Sequence, residues 1–173
     1  MQRHPPTLLA TLLLCGAAHA AAQAGEALSL KLDMLLVRTV KVDGKPTEQL
    51  LPNSGSVNPG DVLSQVVSVQ NTSGKTLRDL PVQLPVPKST VYLAPEKGLD
   101  SASLKSARTL YSIDGGKTYA AAPLKKTITV TENGKSVQKE VEVEPSEYNA
   151  VRWIVPELAP GATLKLGYRI QVR

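Results

Sequence analysis

The stretch Arg152-Trp153-Ile154-Val155-Pro156-Glu157-Leu158-Ala159-Pro160-Gly161, followed by Ala162 to Arg173, decides the fold. In its second half Leu164, Leu166, Tyr168, Ile170 and Val172 alternate with Thr163, Lys165, Gly167, Arg169 and Gln171. A period of two sustained over ten residues is the signature of a strand with one buried face. Trp153 and Val155 share a face on a strand that enters the Leu158–Gly161 turn, so the tryptophan is placed to pack beneath the closing strand. The arrangement predicts an antiparallel β-sandwich built around these two segments.

Upstream, the chain carries the punctuation of an all-β domain. Leu28, Leu30, Leu32, Met34 and Leu36 alternate with Ser29, Lys31, Asp33 and Leu35, and Val37, Thr39, Val40 and Val42 continue the run with residues that favour strands. Asp43-Gly44 supplies a type I′ turn, which should fold Thr47–Leu51 back onto Val37–Val42. Asn58-Pro59-Gly60-Asp61 opens Val62–Gln70, with Leu63, Val67 and Val69 on one face and Ser64, Ser68 and Gln70 on the other. In Leu77–Leu84 the prolines at 81, 85 and 87 remove ladder donors, which points to an edge position. Thr90–Ala94 is a further short strand. Lys97–Arg108 has no period and reads as a mobile loop or a single helical turn.

Two hairpins are expected next. Leu110–Ile113 and Lys117–Ala120 flank Asp114-Gly115-Gly116, in which either Asp114-Gly115 or Gly115-Gly116 could form the loop. Lys125–Glu132 and Lys135–Glu144 flank Asn133-Gly134. A two-residue loop there sets Thr129 opposite Gln138, Thr127 opposite Glu140 and Lys125 opposite Glu142. Lys126 and Lys139 then fall on the apolar side with Val130 and Val137. The expectation is a hairpin that projects past the sandwich and is covered only near its turn.

Residues 1–24 read as a secretory signal peptide: Arg3 in the first segment, an apolar run from Leu8 to Gly16, and small residues at Ala18-His19-Ala20 or Ala22-Gln23-Ala24. The run is far below the roughly 20 residues of a membrane-spanning helix. Cys15 raises lipidation as an alternative, although Leu14 is large for that processing site. Both histidines, His4 and His19, and the one cysteine lie in this segment. The remaining 149 residues, 25–173, therefore have no imidazole, no thiol and no disulfide, which removes the commonest general base and the commonest metal ligand. Arg3 is the one charge lost from 20 basic and 15 acidic residues, so the net charge falls from +5 to +4. That balance does not argue for nucleic acid. The length suits one domain. With no apolar run after residue 24, the mature chain is expected to be soluble in the periplasm, at the surface or outside the cell.

Three sets of residues together carry a resemblance. They are Gly60-Asp61-Val62-Leu63-Ser64-Gln65-Val66-Val67-Ser68-Val69-Gln70-Asn71-Thr72-Ser73-Gly74, then Tyr111-Ser112-Ile113-Asp114-Gly115-Gly116, then Trp153 with Leu158-Ala159-Pro160-Gly161 and Tyr168-Arg169-Ile170-Gln171-Val172. This series resembles the conserved-repeat domain of bacterial surface and secreted proteins, an immunoglobulin-like sandwich of mostly unassigned function. The resemblance covers residues 57–173 and leaves the first hairpin as an N-terminal addition. Gln65 replaces an aromatic usual in the first motif, and Val82 replaces an acidic residue before Leu84-Pro85. The resemblance implies attachment or assembly without naming a partner; another envelope or surface protein is the expected one. It assigns no catalytic, cofactor-binding or metal-ligating residue.

Several sharper patterns have plain readings beside them. Ser136-Val137-Gln138-Lys139 is the one Ser-x-x-Lys match, but on a strand residues three apart point to opposite faces. Gly74-Lys75-Thr76, Gly116-Lys117-Thr118 and Gly134-Lys135-Ser136 imitate the end of a phosphate-binding loop, yet the glycine required five residues earlier is Val69, Tyr111 and Thr129. Asp114 beside two glycines could hold calcium or cap its own turn. Asn71-Thr72-Ser73 matches a glycosylation acceptor and equally a turn. Lys88, Lys97, Lys105, Arg108, Lys125 and Lys126 could form an anion-binding patch or a solvated set. Lys31 or Lys41 with Asn149 are candidates for an internal lysine–asparagine bond, which needs a buried carboxylate. The functional expectation is an exported, non-enzymatic structural or interaction module. A carbohydrate- or polyanion-binding module, favoured by exposed Tyr or Trp beside the lysines, and a secreted hydrolase are the alternatives.

Overall fold

A computed structural model describes residues 27–52, 56–99 and 106–173. The expected signal segment and half of the Lys97–Arg108 loop, residues 100–105, lie outside the described residues. The described chain is all-β, with ten strands: β1 (Leu28–Val42), β2 (Lys45–Pro52), β3 (Val62–Asn71), β4 (Leu77–Pro85), β5 (Thr90–Pro95), β6 (Arg108–Ser112), β7 (Lys125–Glu132), β8 (Lys135–Glu142), β9 (Ala150–Leu158) and β10 (Thr163–Val172). A single 3₁₀ turn at Pro145–Glu147 precedes β9. The strands form three antiparallel sheets with orders β2-β1-β3-β10-β5, β4-β9-β6 and β7-β8.

The closing segment occupies the place its alternation predicts. β10 lies inside the five-stranded sheet between β3 and β5, and Leu164, Leu166, Tyr168 and Ile170 are almost wholly buried. They face Trp153, Val151 and Val155 of β9, the central strand of the three-stranded sheet. The indole of Trp153 is 3% exposed and stacks on Tyr168 at 6.2 Å between ring centres, 17° from parallel. Tyr168 then donates its hydroxyl to Pro85 O at 2.7 Å, tying β10 to β4 across the core. Such a buried phenol would otherwise lack a partner, and burial holds its pKa well above the ordinary value.

On the outer face of β10 the alternation reads differently. Gly167 pairs with Val66, and a Cβ there would come within 2.6 Å of Gln65 O and 3.0 Å of Val66 Cγ2. The neighbour is backbone and cannot step aside, so Gly167→Ala is expected to destabilise the domain by about 1–3 kcal/mol. A urea midpoint indistinguishable from the parent's would show that the two strands are not so closely set.

Both two-residue turns adopt the expected backbone. Asp43 and Gly44 have φ of 51° and 77°, Asn133 and Gly134 51° and 75°, the left-handed pair that a type I′ turn requires. The second fixes the anticipated register, Lys125↔Glu142, Thr127↔Glu140 and Thr129↔Gln138. The ammonium of Lys125, however, meets Glu140 at 3.1 Å rather than Glu142. The cover of this hairpin is also at the opposite end from that expected. Leu124 and Val143 at its base are buried and Lys126 pairs with Glu147, whereas Val137 near the turn is exposed. The base is where the chain re-enters the body, with Val143 N–H donating to Leu124 O, so the turn end extends outward.

The Asp114-Gly115-Gly116 segment is not a two-residue hairpin in either register. Tyr111 bridges Ala120, leaving a wide loop between them. Gly115 and Gly116 both have positive φ, and side-chain hydrogen bonds rather than a ladder organise the loop. β4 is at an edge, as its prolines predict.

β1 departs most from a one-face-buried strand. Leu28, Leu30, Leu32, Met34 and Leu36 share the core face, since they stand opposite Asn71, Val69, Val67, Gln65 and Leu63. Yet Leu30 is 62% and Leu32 52% exposed. The five-stranded sheet is wider than the three-stranded one it packs against, and β1 overhangs.

Candidate functional site

The most heavily buried charges gather on the outer face of the five-stranded sheet. Arg169 of β10 sends Nε and Nη2 to Glu96 Oε1 at 3.1 and 2.9 Å. Its Nη1 reaches Glu48 of β2 at 2.9 Å. Glu48 also meets Lys97 at 3.8 Å. β1 and β3 separate β2 from β10 in the sheet order, which in a flat sheet would set them about 14 Å apart. The β1–β2 hairpin therefore curls over the outer face, and the arginine clamps it there. The hydrogen bonds that it donates to Glu96 hold the Arg169 guanidinium still more firmly charged. Its hydrogen bond to Glu48 keeps that carboxyl below the ordinary carboxylate range. Glu96 Oε2 and the hydroxyl of Ser64, which stands opposite Arg169, are buried without a hydrogen-bond partner.

This cluster was not legible from the sequence, whose alternation assigns Arg169 to solvent. Its partners lie 73 and 121 residues away, and the residues beside it in sequence carry no sign of them. Chemically it is a clamp: the arginine donates to both carboxylates.

Asp114 resolves into a capped turn. Its carboxylate accepts from the N–H groups of Lys117 and Thr118 at 3.0 Å and from the hydroxyls of Thr118 and Ser112 at 2.7 Å. These donors, the Thr118 hydroxyl foremost, hold its pKa well below the ordinary 3.8. Oxygens facing so many protons are oriented for their own loop rather than for a cation. Among the described residues no group of three or more His, Cys, Asp or Glu is placed to hold a metal ion. A depressed folded-state pKa contributes stability above the unfolded value that is lost as pH falls through 3.8 and below. Asp114→Asn should therefore flatten the dependence of the urea midpoint on pH in that acidic window. A parent and variant with parallel pH profiles would contradict the capping role.

The remaining sequence candidates separate. Ser136 and Lys139 lie on opposite faces of β8, opposite Thr131 and Ile128. Gly74-Lys75 and Gly116-Lys117 sit in connections between strands, and Gly134-Lys135 spans the turn into the first residue of β8. Asn71 is wholly buried: its Nδ2 donates to Lys75 O and Leu158 O at 2.8 and 2.9 Å, and its Oδ1 accepts from Ser73 N–H at 2.9 Å. The amide that glycosylation would need is thus committed to latching two loops. Lys31 pairs with Asp33, and Asn149 Oδ1 accepts from Gly115 N–H, so neither lysine–asparagine pair is assembled. Lys97, Lys125 and Lys126 each meet a glutamate, and Lys105 lies outside the described residues.

Aromatic side chains are spent inside. Tyr92, Tyr111, Tyr148 and Tyr168 cluster in the core with ring centres 4.6–5.7 Å apart, and burial drives the Tyr92 phenol far above its ordinary pKa. Tyr119 is partly exposed, but Arg152 lies over its ring at 3.7 Å and anchors to Gln83 at 3.0 Å. No open aromatic platform is left for a sugar ring. A cleft of about 220 Å³ beside Lys88, Thr90, Tyr148 and Arg173 is smaller than the roughly 300 Å³ at which small-molecule sites begin. No helix among the described residues is long and apolar enough to cross a membrane. Comparison of the chain with protein-family models, curated proteins and solved structures finds no match.

Proposed function

We propose that the chain is an exported, non-enzymatic structural or protein-interaction module of a bacterial envelope or surface assembly. We further infer an immunoglobulin-like sandwich related to the conserved-repeat domains of surface proteins. The five-stranded and three-stranded sheets, with β3, β4, β5, β6, β9 and β10 passing between them, are consistent with that fold.

The observation that carries the functional reading is where the chain leaves apolar surface. Trp153 and four tyrosines are interior, whereas Leu30, Leu32 and Val137 are exposed along sheet edges and the β7–β8 arm. Exposed strand edges with apolar side chains are surfaces for another polypeptide rather than pockets for a small molecule. The test is affinity isolation from envelope extracts with the parent chain and with one shortened through the β7–β8 arm. Recovery of a defined envelope protein by the parent and its loss with the shortened chain supports the reading. Specific retention of cell-wall glycans or polyphosphates, with no protein recovered, would overturn it in favour of a polymer-binding module.

A further inference from the structure

β1 runs for 15 residues, but only Leu35–Val37 is paired on both sides. β3 takes Leu28–Val37, whereas β2 takes only Leu35–Val42. From Leu28 to Met34 no strand among the described residues pairs with the remaining edge. Leu30 and Leu32 rise beside this edge on the core face. On the outer face stand Lys31 and Asp33, 3.1 Å apart. A lysine on an open edge ordinarily guards against pairing, because an incoming strand would have to accommodate an unmatched charge. Here a carboxylate two residues away makes the edge complementary to itself.

We propose that two copies of the chain pair through this edge, β1 against β1, about a two-fold axis at Leu32. In that register Lys31 of each copy faces Asp33 of the other, Leu30 faces Met34, and Leu32 faces its own counterpart. An axis at Lys31 or at Asp33 would oppose like charges, and an axis at Leu30 would leave both charges opposite neutral residues. Directly opposed like charges destabilise a ladder and opposite charges support it, so the charge pattern selects one register. Pro52, opposite Leu35, ends β2 and limits the new ladder to Leu30–Met34. Two five-stranded sheets become one continuous sheet, and Leu30 and Leu32 acquire the cover that the narrower facing sheet does not give them. So short a ladder makes a reversible dimer that responds to concentration. The pairing stands on this geometry alone and does not depend on an envelope partner.

The test uses purified chain that begins after residue 24, which has no cysteine of its own. Opposed side chains at the axis have Cβ atoms about 5 Å apart, close to disulfide range, whereas the two copies of Leu30 would lie about 13 Å apart. Under mild oxidation Leu32→Cys should form a linked dimer about tenfold faster than Leu30→Cys or Leu93→Cys. Lys31→Asp or Asp33→Lys should each weaken dimerisation in sedimentation by about tenfold, and the double exchange Lys31→Asp/Asp33→Lys should restore it. Restoration by the double exchange separates pairing from misfolding. Equal linking rates for the three cysteine variants, a monomer at every concentration, or no recovery in the double exchange would each overturn the proposal.

Discussion

Trp153→Ala is expected to remove a large share of the domain's stability. The indole is the largest side chain in the core and stacks on Tyr168, which itself spans to Pro85 of the facing sheet. Truncating a buried aromatic costs about 3–5 kcal/mol, against a total stability of about 5–15 kcal/mol for a domain of this kind. No cysteine lies beyond residue 24, so no disulfide limits the unfolded chain. Thr163→Ala, at an exposed position of the neighbouring closing strand β10, should change stability by less than about 1 kcal/mol. Denaturant unfolding followed by circular dichroism compares the two. A Trp153→Ala chain that unfolds near the parent's midpoint would place the tryptophan outside the core.

Arg169→Met should be nearly as damaging. It leaves the Glu96 carboxylate buried with no counter-charge and frees Glu48, so the curled hairpin loses its clamp. Removing one member of a buried pair costs about 3–5 kcal/mol, while replacing both by apolar residues is often neutral. Arg169→Met combined with Glu96→Leu should therefore recover most of the loss, and backbone hydrogen exchange in β2 should rise in the single variant first. A single variant within about 0.5 kcal/mol of the parent would mean that the pair is solvated and carries nothing.

What could be read from the sequence is what depends on neighbours along the chain. Alternation placed Leu164, Leu166, Tyr168 and Ile170 on a buried face, and Asp43-Gly44 and Asn133-Gly134 gave their turns, because side-chain direction and backbone φ are local properties. Arg169 shows the limit of the same rule. A period of two tells which face a residue takes, but not whether a second layer covers that face, and here the β1–β2 hairpin does. Leu30 and Leu32 show the converse: their parity is that of the core, yet the facing sheet is too narrow to reach them. Asp114-Gly115-Gly116 carries the composition of a tight hairpin, but the carboxylate binds the N–H groups of Lys117 and Thr118 and opens the loop. The β7–β8 arm has its register written in Asn133-Gly134, while its cover is not legible there, because Leu124 and Val143, just outside the strands, supply the buried base. As for the candidate sites, Asn71 and Asp114 were visible as polar turn residues, and only three-dimensional packing shows that their side-chain atoms are already engaged.

The chain spends Trp153 and four of its five tyrosines in the core. Fluorescence of Trp153, the only tryptophan, tests it most directly in the native parent chain. The expected result is blue-shifted emission that acrylamide and iodide barely quench, turning red and freely quenched in the same cooperative step that abolishes the β-sheet circular dichroism. Red emission quenched by iodide in the folded chain would put Trp153 at the surface and contradict the packing on which the account stands.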